Sequence, residues 1–157
     1  MTSRATGRNP SVSFVKVRRN VTFSAVPAKN SAAAHVLVVD DEPLIRWSLA
    51  EVLSQGGHMV TEAGDAKEAL RVLTRTANPP DVILLDYRLP DSNDLSLFAA
   101  IKRELPEIPI ILMTAYGSPE ITAGALALGA YCVVSKPFDV QDLVTLVQLA
   151  RASVGGA

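Results

Sequence analysis

The chain has 157 residues, 48% of them hydrophobic and 20% charged, with a formal net charge of -1. That length suits one domain with a sizeable core. No apolar run approaches the roughly 18 residues that a membrane-spanning helix requires, and the single Cys132 excludes an internal disulfide framework.

Residues 1–34 contain Arg4, Arg8, Lys16, Arg18, Arg19 and Lys29 and no acid, whereas the remainder has nine basic and sixteen acidic residues. This asymmetry argues against a uniformly basic, nucleic-acid-binding protein. The segment reads as a basic, disordered N-terminal tail. A targeting peptide is a second reading, because the stretch is rich in Arg and Ser and poor in acids. A third is a hairpin, with Val12, Phe14 and Lys16 alternating before Arg19-Asn20 and Val21, Phe23 and Ala25 alternating after it.

From His35 onward short apolar runs alternate with helical patterns. Val36 to Val39 is the first predicted strand. Pro43 opens a helix, where its missing N–H costs nothing, and Ile45, Leu49, Val52 and Leu53 share one face until Gly56-Gly57. Met59 to Glu62 is a short strand. Asp65 caps a helix with Ala66, Ala69, Leu70 and Leu73 on one face. The strand Val82 to Leu85, the helix Leu95 to Leu105 and the strand Ile108 to Met113 follow. Ser118 starts a fourth helix, Tyr131 to Val134 is the fifth strand, and Asp139 caps a last helix carrying Val140, Leu143, Val144 and Val147.

Continuous apolar strands indicate a sheet covered on both faces, hence parallel. The expected fold is α/β: a doubly wound, five-stranded parallel sheet with helices on both faces. Such sheets bind ligands at the carboxyl ends of their strands. Asp40 and Asp41 close the first strand there and Asp86 the third, with Thr114 and Lys136 on the same edge. Three converging carboxylates repel one another and raise at least one pKa. A hard divalent cation would relieve that conflict. Cys132, inside an apolar strand, reads as a buried thiol, and His35 and His58 as surface residues. Trp47 reads as partly packed.

Val36-Leu37-Val38-Val39-Asp40-Asp41-Glu42-Pro43, Leu84-Leu85-Asp86-Tyr87-Arg88-Leu89-Pro90-Asp91, Met113-Thr114-Ala115 and Ser135-Lys136-Pro137-Phe138 together resemble the signatures of response-regulator receiver domains. Ile45-Arg46-Trp47-Ser48-Leu49 and Thr114-Ala115-Tyr116-Gly117-Ser118 are most similar to receivers of the nitrogen-regulation type. The resemblance implies a receiver domain over residues 35–151, a C-terminal tail over 152–157, and the flavodoxin-like strand order 2-1-3-4-5. It implies Asp86 as phosphoacceptor, assisted by Thr114 and Lys136. Mg2+ would be held by Asp40, Asp41, Asp86 and the backbone carbonyl of Arg88. The implied donor is a histidine kinase or a histidine phosphotransfer protein.

The expected protein is a cytoplasmic, stand-alone receiver that signals to a downstream protein target, without direct DNA binding or membrane contact. It modifies and hydrolyses only itself, so it is not a turnover enzyme. Two alternatives remain: an unphosphorylated interaction module, and a Mg2+-dependent aspartyl-phosphate phosphohydrolase. Two positions depart from the family pattern, Val133 for the usual aromatic residue and Asp94 for a common glycine. The uncharged stretch Ile121 to Leu128, with Leu146 and Leu149, reads either as a broad buried stripe or as a patch for homodimerisation through the fourth-helix to fifth-helix face.

Overall fold

The computed structural model describes residues 14–15 and 33–155, apart from residue 116. Its elements in chain order are β1 (Phe14–Val15), β2 (His35–Val39), α1 (Pro43–Gln55), β3 (Met59–Ala63), α2 (Ala66–Arg75), β4 (Val82–Asp86), α3 (Ser96–Glu104), β5 (Ile110–Thr114), α4 (Pro119–Ala127), β6 (Cys132–Ser135) and α5 (Val140–Gly155). Each strand from β2 to β6 lies within two residues of its predicted bounds, and each helix is present. The last helix runs past the expected boundary at Arg151.

The sheet order is β1-β6-β5-β4-β2-β3. The five strands β2 to β6 are parallel and, numbered among themselves, give the expected 2-1-3-4-5. The sixth strand, β1, pairs antiparallel with the outer edge of β6, Phe14 opposite Val134 and Val15 opposite Val133. The hairpin reading therefore placed a strand at Phe14, but its partner is β6. The second half of that hairpin lies outside the described residues, as does most of the stretch read as a tail or targeting peptide.

Successive strand side chains point to opposite faces, which splits the core in two. Leu37, Val39, Ile83, Leu85 and Leu112 pack under α2, α3 and α4 through Ala69, Phe98, Ile101 and Ala125. Val36, Val38, Leu84, Ile111 and Met113 pack under α1 and α5 through Leu49, Leu53, Leu143 and Val147. Each fully buried Leu, Ile or Val contributes roughly 1.5–3 kcal/mol, so the continuous apolar runs hold the strands and fix where each one ends.

Local chemistry starts the helices. The Asp65 carboxylate accepts from the Glu68 N–H at 2.7 Å, and the Ser118 hydroxyl from the Ile121 N–H at 3.2 Å. Asp94 accepts from the Ser96 N–H at 2.8 Å, and Asp139 from the Gln141 N–H at 2.8 Å. Gly57 turns the chain out of α1 with φ 87°, a left-handed conformation that glycine adopts without a Cβ clash.

Three expectations fail. Leu70 is exposed, and Val72 packs against the core in its place. His58 is buried, its Nδ1 accepting from the Ala34 N–H at 3.0 Å, and His35 is half-buried, its Nε2 2.8 Å from the Thr61 hydroxyl. Trp47 is 60% exposed, so it is a surface side chain. Leu146 is core, in line with the buried-stripe reading, and the exposed apolar residues in and just after α4 are Ala123, Ala127 and Leu128.

Candidate functional site

The carboxyl edge of the sheet brings the predicted residues together. Asp40 follows β2, Asp86 ends β4, Thr114 ends β5, and Lys136 follows β6. Since β2 and β5 both neighbour β4, side chains far apart in sequence meet at one point. Asp41, Asp86, Arg88, Thr114 and Lys136 all line a cavity of about 440 Å³, with Glu42, Tyr87, Asn93, Ala115 and Ile121 as its other walls. Asp40 lies beneath them, fully buried.

Lys136 ties the acids together. Its Nζ donates to Asp40 Oδ2 at 2.8 Å, to Asp86 Oδ2 at 3.1 Å and to Glu42 Oε1 at 3.4 Å. The Lys136, Asp40 and Asp86 side chains are only 9%, 0% and 6% exposed, so water screens these pairs poorly. The remaining lone pairs are held by backbone. Asp40 Oδ1 accepts from the Glu42 N–H at 2.9 Å, and Asp86 Oδ1 from the Arg88 N–H at 3.3 Å. The Lys136 N–H donates to the Thr114 carbonyl at 2.8 Å, which joins the two loops that carry those side chains. The Lys136–Pro137 peptide is cis.

Burial, and next the Asp40 charge, push the Asp86 carboxyl up to about 6 against the opposing pull of Lys136 and the Arg88 N–H. Burial pulls Lys136 down, but its hydrogen bond to Asp40 and the charges of Asp86 and Asp40 outweigh that and hold it above its ordinary value. Asp86 is therefore mostly ionised at neutral pH and needs no general base to act as a nucleophile.

Asp40, Asp41 and Asp86 each offer an oxygen within 4.8 Å of the others. An all-oxygen, dense negative donor set matches Mg2+ or Ca2+ and not a softer metal. One ammonium among four carboxylates leaves the cluster anionic, so the residues fit a divalent cation.

Two contributors went unnoticed in the sequence. Glu42 shares Lys136, and Arg46 Nη1 donates to the Asp40 carbonyl at 2.6 Å while its Nε lies 3.3 Å from Glu62. Arg46 is three residues into α1, a spacing that turns it back over the strand end; that was the available signal. Asp91, also unassigned, accepts from the Ala66 and Lys67 N–H groups at 2.8 and 3.0 Å and so anchors the loop after Asp86 to α2.

Residues 36–148 match the family model of the response regulator receiver domain. The DNA-binding transcriptional regulator NtrC of Escherichia coli is 37% identical over 115 residues, which cover 73% of this chain and 24% of that protein. The nitrogen assimilation regulatory protein NtrX of Azorhizobium caulinodans is 37% identical over 120 residues, 75% of this chain and 26% of that one. The chain thus spans about a quarter of the length of these relatives. Among solved structures, NtrX of Brucella abortus superposes with a TM-score of 0.72 at 35% identity, covering 79% of this chain and 28% of that one. A CheY-like receiver domain protein of Methanospirillum hungatei superposes with a TM-score of 0.74 at 26% identity, covering 79% of this chain and 98% of that one. With strand order, acidic cluster and family model in agreement, this chain belongs to the response regulator receiver domain family of two-component signalling.

Proposed function

We propose that the chain accepts a phosphoryl group on Asp86 from a phosphohistidine donor and relays that change through protein contacts. The reading rests above all on one observation: a buried Asp86 shares a cavity wall with Lys136, Thr114 and Asp41, and Asp40 lies buried within reach of the same cluster. An Asp86 oxygen attacks phosphorus; a P–O bond forms, the P–N bond breaks, and the imidazole leaves with its electron pair and gains a proton.

Asp40, Asp41, Asp86 and the Arg88 carbonyl would hold Mg2+, which when bound supplies charge neutralisation for the phosphoryl oxygens. Lys136 exchanges its bond to Asp86 for a phosphoryl oxygen, as a point charge. The Thr114 hydroxyl donates to another oxygen once Asp86 is modified, and its loop carries the change toward α4 and β6. One or two such bonds, at roughly 1.5–3 kcal/mol each, are enough to shift a two-state surface by tens- to hundreds-fold.

A protein donor fits the surroundings. A second, mainly apolar cavity of about 450 Å³ shares Glu42, Ala115 and Lys136 with the site and is walled by Leu44, Ile45, Phe138 and Val140. Leu44 stands exposed on that side of α1. We assign the donor to a histidine kinase or phosphotransfer protein, and the output to a downstream protein target, without direct DNA contact. The modified form self-associates through the face made by α4, β6 and α5. The receiver acts in the cytoplasm, and no other substrate is turned over.

A phosphotransfer profile against candidate kinases, with and without Mg2+, tests this reading. Transfer that needs Mg2+ and disappears in Asp86→Ala supports it. Release of phosphate from many unrelated esters would favour a phosphohydrolase, and no transfer at all an unphosphorylated module.

A further inference from the structure

The strand β1 comes from the basic segment that precedes the receiver core, and it sits on the one outer edge of the sheet beside the site lysine. That edge is a template for strand addition. β6 ends the parallel array, α4 covers it on one face and α5 on the other, and its residues Cys132, Val133 and Val134 are buried. An open strand edge invites pairing with another chain.

The register says which groups the edge offers. Thr114 stands opposite Ser135, and the Lys136 N–H reaches the Thr114 carbonyl. Counting back in twos, the Val134 and Cys132 amides face β5, and the Val133 N–H and carbonyl face outward. Val15 lies opposite Val133, so this pair exchanges the ladder hydrogen bonds and Phe14 opposite Val134 does not.

Pairing within one chain is geometrically open. From β2 to β1 is four strand spacings, about 19 Å. The residues between Val15 and Ala33 can extend to roughly 55 Å. Charge favours it as well, with six positive residues before position 35 and a net -7 after it.

We propose that the outer edge of β6 is a strand-acceptor surface filled by the chain's own Phe14–Val15 segment, which keeps a second copy off the face between α4 and α5. The competition with a second copy rests on the association proposed above; the strand pairing does not. Because β1 joins the two residues just before Ser135 and Lys136, release of the strand also loosens the element that carries the site lysine.

The test uses the full chain and its Val15→Pro variant, which lacks the one donor that β1 gives to β6. Amide exchange at Val133 should quicken at least tenfold in the variant while Val38, in β2 on the far side of the sheet, stays unchanged. Sedimentation without phosphodonor should show the variant dimerising at a concentration at least threefold lower. Equal Val133 exchange in the two chains would overturn the pairing. Faster exchange with coincident sedimentation, in chains that do dimerise after treatment with acetyl phosphate, would overturn the competition alone. Two chains that stay monomeric even after that treatment would remove the association itself, and the proposed competition with it.

Discussion

The two ends of the sheet both bury titratable groups, and they resolve the cost in opposite ways. At the carboxyl end, Asp40 and Asp86 keep their place beside a buried ammonium, and burial with mutual repulsion pushes Asp86 up to about 6. At the amino end, burial and the nearby Arg151 charge hold His58 below its ordinary value, so it stays neutral and accepts one backbone N–H from Ala34. Equal burial thus yields a charged, responsive centre in one place and an uncharged pin in the other. What differs is the company: Lys136 arrives from β6 at the first end, and the charge near the second, Arg151, has the sign that opposes protonation of His58. A buried charge that is compensated but still crowded is open to a ligand; a buried group that has simply neutralised is structural.

The largest separation of the two ends is chemical. Asp86→Ala should abolish phosphoryl acceptance, a fall of at least a thousandfold in labelling rate, whereas His58→Gln should label at the wild-type rate in the same assay. Lys136→Ala should come next. Removing one partner of a buried pair leaves Asp40 uncompensated, at a cost of about 3 kcal/mol. Urea unfolding at pH 7.5 should show that loss, and labelling should fall more than tenfold.

Asp86→Asn sharpens the contrast because its stability effect has the other sign. The folded state holds the Asp86 proton more tightly than the unfolded state, so the group's stabilising contribution is present below about pH 4 and is lost as pH rises through about 6. Without divalent cations, Asp86→Asn should therefore be more stable than wild type at pH 7.5 by about 1–3 kcal/mol. The gap should close at pH 4, and Mg2+ should narrow it at pH 7.5 by stabilising only the wild type. The smallest effect is at the other end. His58→Ala strands the Ala34 N–H and should cost about 1–2 kcal/mol. The His58 contribution is present above pH 6.5 and is lost as pH falls below it, so this variant should lose part of the wild type's acid sensitivity. Unfolding midpoints at pH 5 and 7.5 read both.

The carboxyl end was legible in the sequence because its signals are directional. An apolar run that stops at an aspartate states both the strand and the edge, and Val36–Asp40 and Val82–Asp86 do so in parallel. Lys136 and Thr114 follow runs of the same kind. The amino end gives no such signal. His58 sits between Gly57 and the exposed Met59, with no period to place it, and the groups it meets, the Ala34 N–H and the Arg151 charge, are distant in sequence. Leu70 fits the helical period but falls at the edge of the buried arc, where Val72 wins the contact with the core. The pairing of β1 with β6 was hidden for the same reason, since the alternation at Phe14 specifies a strand but no partner.

The central claim is that Asp86 is the acceptor, and the phosphorylated residue can be identified directly. After incubation with Mg2+ and acetyl phosphate, borohydride reduction converts an aspartyl phosphate to homoserine, which peptide mass spectrometry locates. Homoserine at position 86, absent without Mg2+, is the expected result. Homoserine at Asp40 or Asp41 in place of Asp86, or an unlabelled chain under conditions that keep it folded, would contradict the account.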